Sequence, residues 1–152
     1  MTAAASARVV AVERVVPADP QTVFDLLADP AQHPLLDGSG SVRRAREGNP
    51  ERLSRGAHFG MDMHLGLTYP IRNVVVEFEE GRLIAWRHFA GHRWRYRLSP
   101  VAAGTLVREE WDSTRAPHLW AWYRLMRFPQ RNRAGMTATL RRLSEALAAQ
   151  AP

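Results

Sequence analysis

The sequence contains no cysteine, which excludes disulfides, thiolate nucleophiles and cysteine-bound metals. It also contains no lysine. All 21 basic residues are arginine, so no side-chain amine is available for a Schiff base. No window approaches the roughly 18 consecutive apolar residues of a transmembrane helix. The first residues, MTAAASARVVAVERVV, lack the charged start, apolar run and cleavage site of a secretory leader. A cytoplasmic chain without a transmembrane segment is therefore expected. There is no glycine-rich phosphate loop, no G-x-S-x-G elbow and no dinucleotide fingerprint. No cofactor and no bound metal are expected.

What is present suits one domain over residues 1–152: 45% hydrophobic and 24% charged residues, ordinary values for a globular chain. The net charge of +6 and the sequence pI near 11.1 raise nucleic acid or an acidic membrane as partners. The arginines, however, fall along the wet faces of several elements rather than in one patch, which reads as a solvated surface. No nucleic-acid partner is expected.

The chain is organised around Arg82–Leu98, RLIAWRHFAGHRWRYRL. It reads as two strands joined by a turn at Ala90-Gly91. Trp94, Tyr96 and Leu98 alternate with Arg93, Arg95 and Arg97, so one face is dry and the other wet. On the preceding strand Ile84, Trp86 and His88 share a side. That much ring area with a few polar tips fits either a core or a pocket for an apolar ligand.

From the start, Arg8–Val16 is a β-branched strand. Asp19-Pro20 caps a helix with Val23, Phe24 and Leu27 on one face, and Asp29-Pro30 opens a second short helix ending near Leu36. A loop at Asp37–Gly40 leads to strands over Ser41–Glu47, Ala57–His64 and Tyr69–Phe78. Turns fall at Gly48-Asn49-Pro50, at Leu65-Gly66-Leu67 and at Glu80-Gly81. On the second of these strands Phe59, Met61 and Met63 oppose His58, Asp62 and His64. On the third, Ile71, Asn73 and Val75 oppose Arg72, Val74 and Val76 unless a bulge switches them. Ser99-Pro100 and Ala103-Gly104 bound the next turn, and Thr105–Asp112 puts Val107, Glu109 and Trp111 on one face. Ala116–Phe128 is an aromatic short helix or lid. Pro129 starts a last helix with the stripe Met136, Leu140, Leu143 and Leu147.

One strand, two short helices, six strands and one long helix make an α+β meander of seven antiparallel strands whose covered face needs that helix. Counted by turn parity, the helix pair, the Gly66 turn, the Gly91 turn and Ser113–Phe128 share one end of the sheet.

Four stretches carry a family resemblance: VPADPQTVFDLLADPAQHPLLDGSGSV, EFEEGRLIAW, HRWRYRLSPVAAGTLVREEWD and NRAGMTATLRRL. They resemble the START/birch-pollen-allergen superfamily, in its polyketide cyclase/dehydrase-like (SRPBCC) branch. The resemblance implies a helix-grip fold, a curved sheet wrapped around the C-terminal helix, and an internal cavity. Relatives bind lipids, hormones, quinones or polyketides, some as enzymes and many as carriers. In plant abscisic-acid receptors the Gly66 and Gly91 turns would be gate and latch. Gly91-His92-Arg93 resembles the latch, whereas HLGLT does not closely match the gate.

On that footing the expected partner is a hydrophobic small molecule. Trp86, Trp94, Tyr96 and Trp111 either fill the core or wall a pocket, with Phe59, Met61, Met63, Met136 and Leu140 as further lining. Asn73 would aim its amide at a ligand carbonyl. Glu109 either forms a structural bridge or meets ligand, and desolvation would raise its pKa. In an enzyme of the cyclase/dehydratase kind, Glu109, His88 and Tyr96 are the acid-base candidates. His64, His88 and His92 gather near one mouth without a recognised metal spacing. The aromatic segment would cap the mouth with Trp120 and Tyr123, touch a membrane, or form a homodimer.

Overall fold

The computed structural model describes residues 7–152. Seven antiparallel strands form one sheet in the order β1-β7-β6-β5-β4-β3-β2. They are β1 (Val9–Val16), β2 (Val42–Ala45), β3 (His58–Leu65), β4 (Leu67–Glu79), β5 (Leu83–Arg87), β6 (Arg93–Val101) and β7 (Gly104–Asp112). Helices α1 (Pro20–Ala28) and α2 (His33–Leu36) follow β1. The short α3 (Trp120–Leu125) and the long α4 (Phe128–Gln150) close the chain.

Local chemistry sets the boundaries. The Asp19 carboxylate accepts bonds from the backbone N–H of Gln21 and Thr22, and Pro20 occupies the first helical position. Val23, Phe24, Leu27 and Ala28 then bury one face of α1. In β4, register slips between Val75 and Glu77. That bulge turns Glu77 outward and Phe78 inward, where its ring meets Phe24 edge-on at 5.4 Å. β6 runs on through Pro100, where a turn was expected. Its pairing with β5 stops at Arg97–Leu83, so the missing N–H of Pro100 faces no partner strand there.

The helix pair begins at the end of the sheet opposite to the one expected. Val16 pairs with Thr105 at the start of β7, and Gln21 bonds Glu80 beside the Gly81 turn. From this base end α1 and α2 climb the height of the sheet and return the chain to the far end, where Val42 pairs with Met63. Turn parity holds for tight turns; a helical crossover spans the sheet instead. The Gly66 turn, the Gly91 turn and the exit of β7 do share that far end, the mouth end.

Two apolar clusters result. The larger joins α1, the middle of the sheet and Leu140, Leu143 and Leu147 of α4. The smaller gathers Val10, Trp111, Ala116, Tyr123 and Met136. Between them the Asp37–Ser39 loop crosses α4 at contact distance. A Cβ on Gly38 would lie 2.5 Å from the backbone nitrogen of Thr139, whose hydroxyl accepts the Gly38 N–H. Gly38→Ala is expected to destabilise the fold by about 1–3 kcal/mol through overpacking, measured by urea unfolding. An unchanged midpoint would show that the loop does not clamp the helix.

The arginines of β6 correct a sequence expectation. Arg93, Arg95 and Arg97 do face away from α4, yet Arg95 is only 7% exposed. It bonds Glu110 and Asp112 on the adjacent β7 and, reaching past β5, Glu77 on β4. Asp62, on the same face of β3 as His64, holds Arg44 and Arg46.

Candidate functional site

The concave face carries its rings in register. Trp111, Trp94 and Trp86 are cross-strand partners on β7, β6 and β5, and the row continues to Val75. The next row places Glu109 opposite Tyr96 and Tyr96 opposite Ile84. On β3 and β4 the inward pairs are Phe59–Asn73, Met61–Ile71 and Met63–Tyr69. Strand pairing thus brings residues far apart in sequence onto one curved wall.

Between this wall, α4 and the Asp37–Val42 segment lies a cavity of about 520 Å³, within the range that holds drug-sized ligands. Phe59, Met61, Met63, Asn73, Trp86, Trp94, Tyr96, Glu109, Trp111 and Met136 line it, with His88 and His92 toward the mouth. Three of the expected residues stand off that wall. Leu140 is packed in the larger apolar cluster, one turn below Met136. Tyr123 lies behind Trp111 at a ring distance of 5.1 Å. Trp120 turns outward beneath the guanidinium of Arg8, 5.8 Å away. Helical spacing identified the face of these residues but not their depth.

Glu109 is the chemical centre. It is 3% exposed, and its Oε1 accepts the Tyr96 hydroxyl at 2.8 Å. Its Oε2 is buried with no hydrogen-bond partner. Desolvation raises its pKa to about 8, the Tyr96 bond opposing and the Asp37 carboxylate adding to the rise. An unpaired buried carboxylate is too costly to persist when a proton is available. At neutral pH the group is a carboxylic acid, and with Oε1 occupied its proton rests on Oε2, in a residue that lines the cavity. Burial and the neighbouring Glu109 push Tyr96 well above the ordinary tyrosine range, so Tyr96 donates to the acid and does not act as a base.

Other polar groups on the wall are few. Asn73 is buried, and among the described residues nothing bonds its amide. His33 went unnoticed in the sequence because no periodicity marks it. Its Nε2 lies 2.8 Å from the Leu27 carbonyl and its ring stacks on Trp86 at 4.8 Å. Burial holds it below the usual histidine pKa, so it is neutral, with Nε2–H donating. The one local signal was its place at the junction after Asp29-Pro30, where a side chain can cap the end of α1. Asp37 lies in the loop that follows α2. Its carboxylate accepts from the N–H groups of Ser39 and Val42 and shapes the cavity rim.

At the mouth His88 and His92 meet edge to face at 4.5 Å. The Ala90 N–H bonds His88 Nδ1, and Tyr123 bonds His92 Nδ1. Desolvation lowers both, and with the added effect of His88 brings His92 to about 3. Neither bonds Glu109. His64 stands apart, bonded to Thr68.

A curved antiparallel sheet gripping one long helix over a cavity is a helix-grip fold. The chain belongs to the family described as "Polyketide cyclase / dehydrase and lipid transport", which matches residues 7–148. It is similar to two uncharacterized proteins from two strains of Mycobacterium tuberculosis, 38% identical over 133 residues. The match covers 81% of this chain, and the chain spans 57% of the length of those relatives. Among solved structures, a protein from Chromobacterium violaceum superposes with a TM-score of 0.70 at 18% identity, covering 91% of this chain and 96% of that one. A Polyketide_cyc-like protein from Corynebacterium glutamicum gives 0.62 at 19%, covering 93% and 92%. The Aha1 dimer from Colwellia psychrerythraea gives 0.63 at 12%, covering 91% and 95%. At these identities the likeness shows the fold.

Proposed function

We propose that the cavity holds a hydrophobic small molecule, a lipid, polyketide or aromatic metabolite, carrying one neutral hydrogen-bond acceptor. The observation behind this reading is the unpaired Oε2 of Glu109 at the centre of an aromatic wall. A protonated acid there lacks an acceptor, and a ligand carbonyl or ether oxygen supplies one. The indole row supplies area and ring contact, and the Asn73 amide offers a second bond.

Native mass spectrometry of protein purified from its own host is expected to show a copurified apolar molecule. N-phenylnaphthylamine is expected to fluoresce on binding, and Met63→Trp, which fills the cavity, to remove the signal without lowering the melting temperature. Absence of both a copurified mass and probe binding would sink the reading. Affinity for an acceptor-bearing ligand should fall as pH rises through about 8, where Glu109 ionises.

A second reading has its own observation: an acid with a pKa near neutrality, held by Tyr96, suits general-acid catalysis. Glu109 would donate the Oε2 proton to a ketone or departing hydroxyl of a polyketide-type substrate. His88, at the mouth, would serve only a substrate reaching that far. Here Glu109→Gln should abolish turnover and leave binding intact. Unaltered conversion of a demonstrated substrate would remove Glu109 from the chemistry.

A further inference from the structure

The mouth is bordered by large apolar side chains that face water. Phe89, at the tip of the β5–β6 hairpin, is 85% exposed, and Leu125 on α3 is 78% exposed. Leu67, at the tip of the β3–β4 hairpin, is 65% exposed, and Leu65, Trp122 and Met126 are also exposed. These tips belong to the same end of the sheet, and the Gly91 turn lies against Arg115 and Ala116 on the way to α3. Exposed apolar residues are ordinary when scattered; gathered around one opening they mark a contact surface.

Charge distinguishes the occupant. From Ser113 to Ser144 the chain has seven arginines and no acidic residue. Arg115, Arg124, Arg127 and Arg131 are exposed, as is Arg87 at the end of β5. Among the described residues none of these five pairs with a carboxylate, whereas Arg44, Arg46, Arg82, Arg97 and Arg108, elsewhere on or beside the sheet, do; Arg14, Arg43 and Arg72 are also unpaired but are spread over the sheet. Residues 1–6 contain no acid. Asp19, Asp25, Glu79 and Glu80 lie at the base end instead. Arg127 is also the only described non-glycine residue with positive φ, at 59°, where α3 turns into α4. An apolar tip set among free arginines, with these four acids at the far end and the mouth-end Asp37 and Asp112 already engaged by their own loop and by Arg95, is complementary to an anionic lipid surface. A second copy of the same face would bring like charges together.

We propose that the mouth end docks onto anionic bilayers, with Phe89 and Leu125 entering the headgroup boundary and the five free arginines meeting lipid phosphates. The docked orientation sets the cavity opening against the membrane. This holds whatever the cavity carries, so failure of one reading leaves the other standing.

Flotation of the full chain with vesicles tests it. Binding is expected to vesicles of phosphatidylcholine mixed with phosphatidylglycerol, and not to phosphatidylcholine alone, and to weaken with added salt. Phe89→Ser should reduce partition about tenfold or more, as expected for one inserted ring. Arg127→Gly should reduce it about fivefold, as expected for one basic residue near an anionic surface. Glycine suits the positive φ at that position, so this variant keeps its melting temperature and separates docking from folding. No flotation with anionic vesicles, or variants that float like the parent, would overturn the proposal. So would a concentration-dependent dimer in sedimentation that Phe89→Ser dissolves, because the patch would then be a protein interface.

Discussion

Glu109→Gln should make the protein more stable at neutral pH, an unusual sign for a substitution at a buried polar residue. The folded pKa of Glu109 is about 8, against an ordinary value of 4.5. Below about pH 4.5 the acid is protonated in both states, and the group has no differential effect. As pH rises from there, the unfolded chain releases the proton and the folded protein keeps it, so stability falls until the folded group also ionises near pH 8. A neutral amide does not titrate. The variant should therefore gain roughly 1–3 kcal/mol over the parent at pH 7 and nothing at pH 4. The histidines act oppositely: His33, His88 and His92 have lowered folded pKa values, and stability drops as pH falls through the ordinary histidine range. They are common to both proteins and cancel in the difference. Urea unfolding of parent and variant between pH 4 and 8 reads that difference, and parallel curves would show that Glu109 is ionised when folded.

Arg95→Ala should produce the largest loss. Its guanidinium holds Glu77 and Glu110 at 2.7 Å and Asp112 at 3.2 Å. Burial alone would raise the pKa of each carboxyl. Bonds to Arg95 and to Arg93, Arg108 or Thr114 outweigh it and hold all three below their usual values. Removing Arg95 leaves three carboxylates gathered on the sheet without their shared partner. The cost of breaking a buried pair is about 3–5 kcal/mol, and the partial exposure of Glu77 places the expectation near the lower figure. Groups with depressed pKa stabilise above their unfolded values and lose that contribution as pH falls. The deficit of Arg95→Ala should therefore be full at pH 7 and shrink below about pH 4, where the carboxylates take up protons. Arg95→Lys should recover part of it, because lysine restores the charge but not the forked geometry. A deficit under about 1 kcal/mol at pH 7 would show that solvent, not Arg95, neutralises the cluster.

Much of this architecture was legible in residue order. Period-two alternation fixed the faces of β3, β6 and β7, and the 3.6 period fixed the stripe on α4. Asp19-Pro20 fixed the start of α1. Depth was not legible. Arg95 reads as a solvated arginine until Glu77 and Glu110, distant in sequence, are placed beside it by strand pairing. Tyr123 reads as a lid residue until Trp111 is seen to stand between it and the cavity. The polarity of the helix pair was misread because parity says nothing about how far a crossover climbs. For the candidate site, the sequence pointed to Glu109 as an inward carboxyl and to the tryptophans as a wall. The single partner of Glu109 and the orphan oxygen are products of cross-strand register. His33 acts through Leu27 and Trp86, contacts that no local pattern encodes.

The bulge at Val76 gives β4 a phase shift. On the mouth side of it, Ile71, Asn73 and Val75 face inward and answer to the chamber. On the base side the inward role passes to Phe78, which answers to Phe24 on α1. One inserted residue thereby uncouples the two halves of the strand. Exchanging Ile71 or Asn73 would reshape the chamber wall and leave the base packing untouched. Deleting Val76 would restore regular pairing and leave Glu77 outward and Phe78 inward, whereas ironing out the bulge with Val76 retained would swing Glu77 into the core and Phe78 out to solvent. The strand is in effect two segments spliced out of step, one lining the chamber and the other bound to the fold.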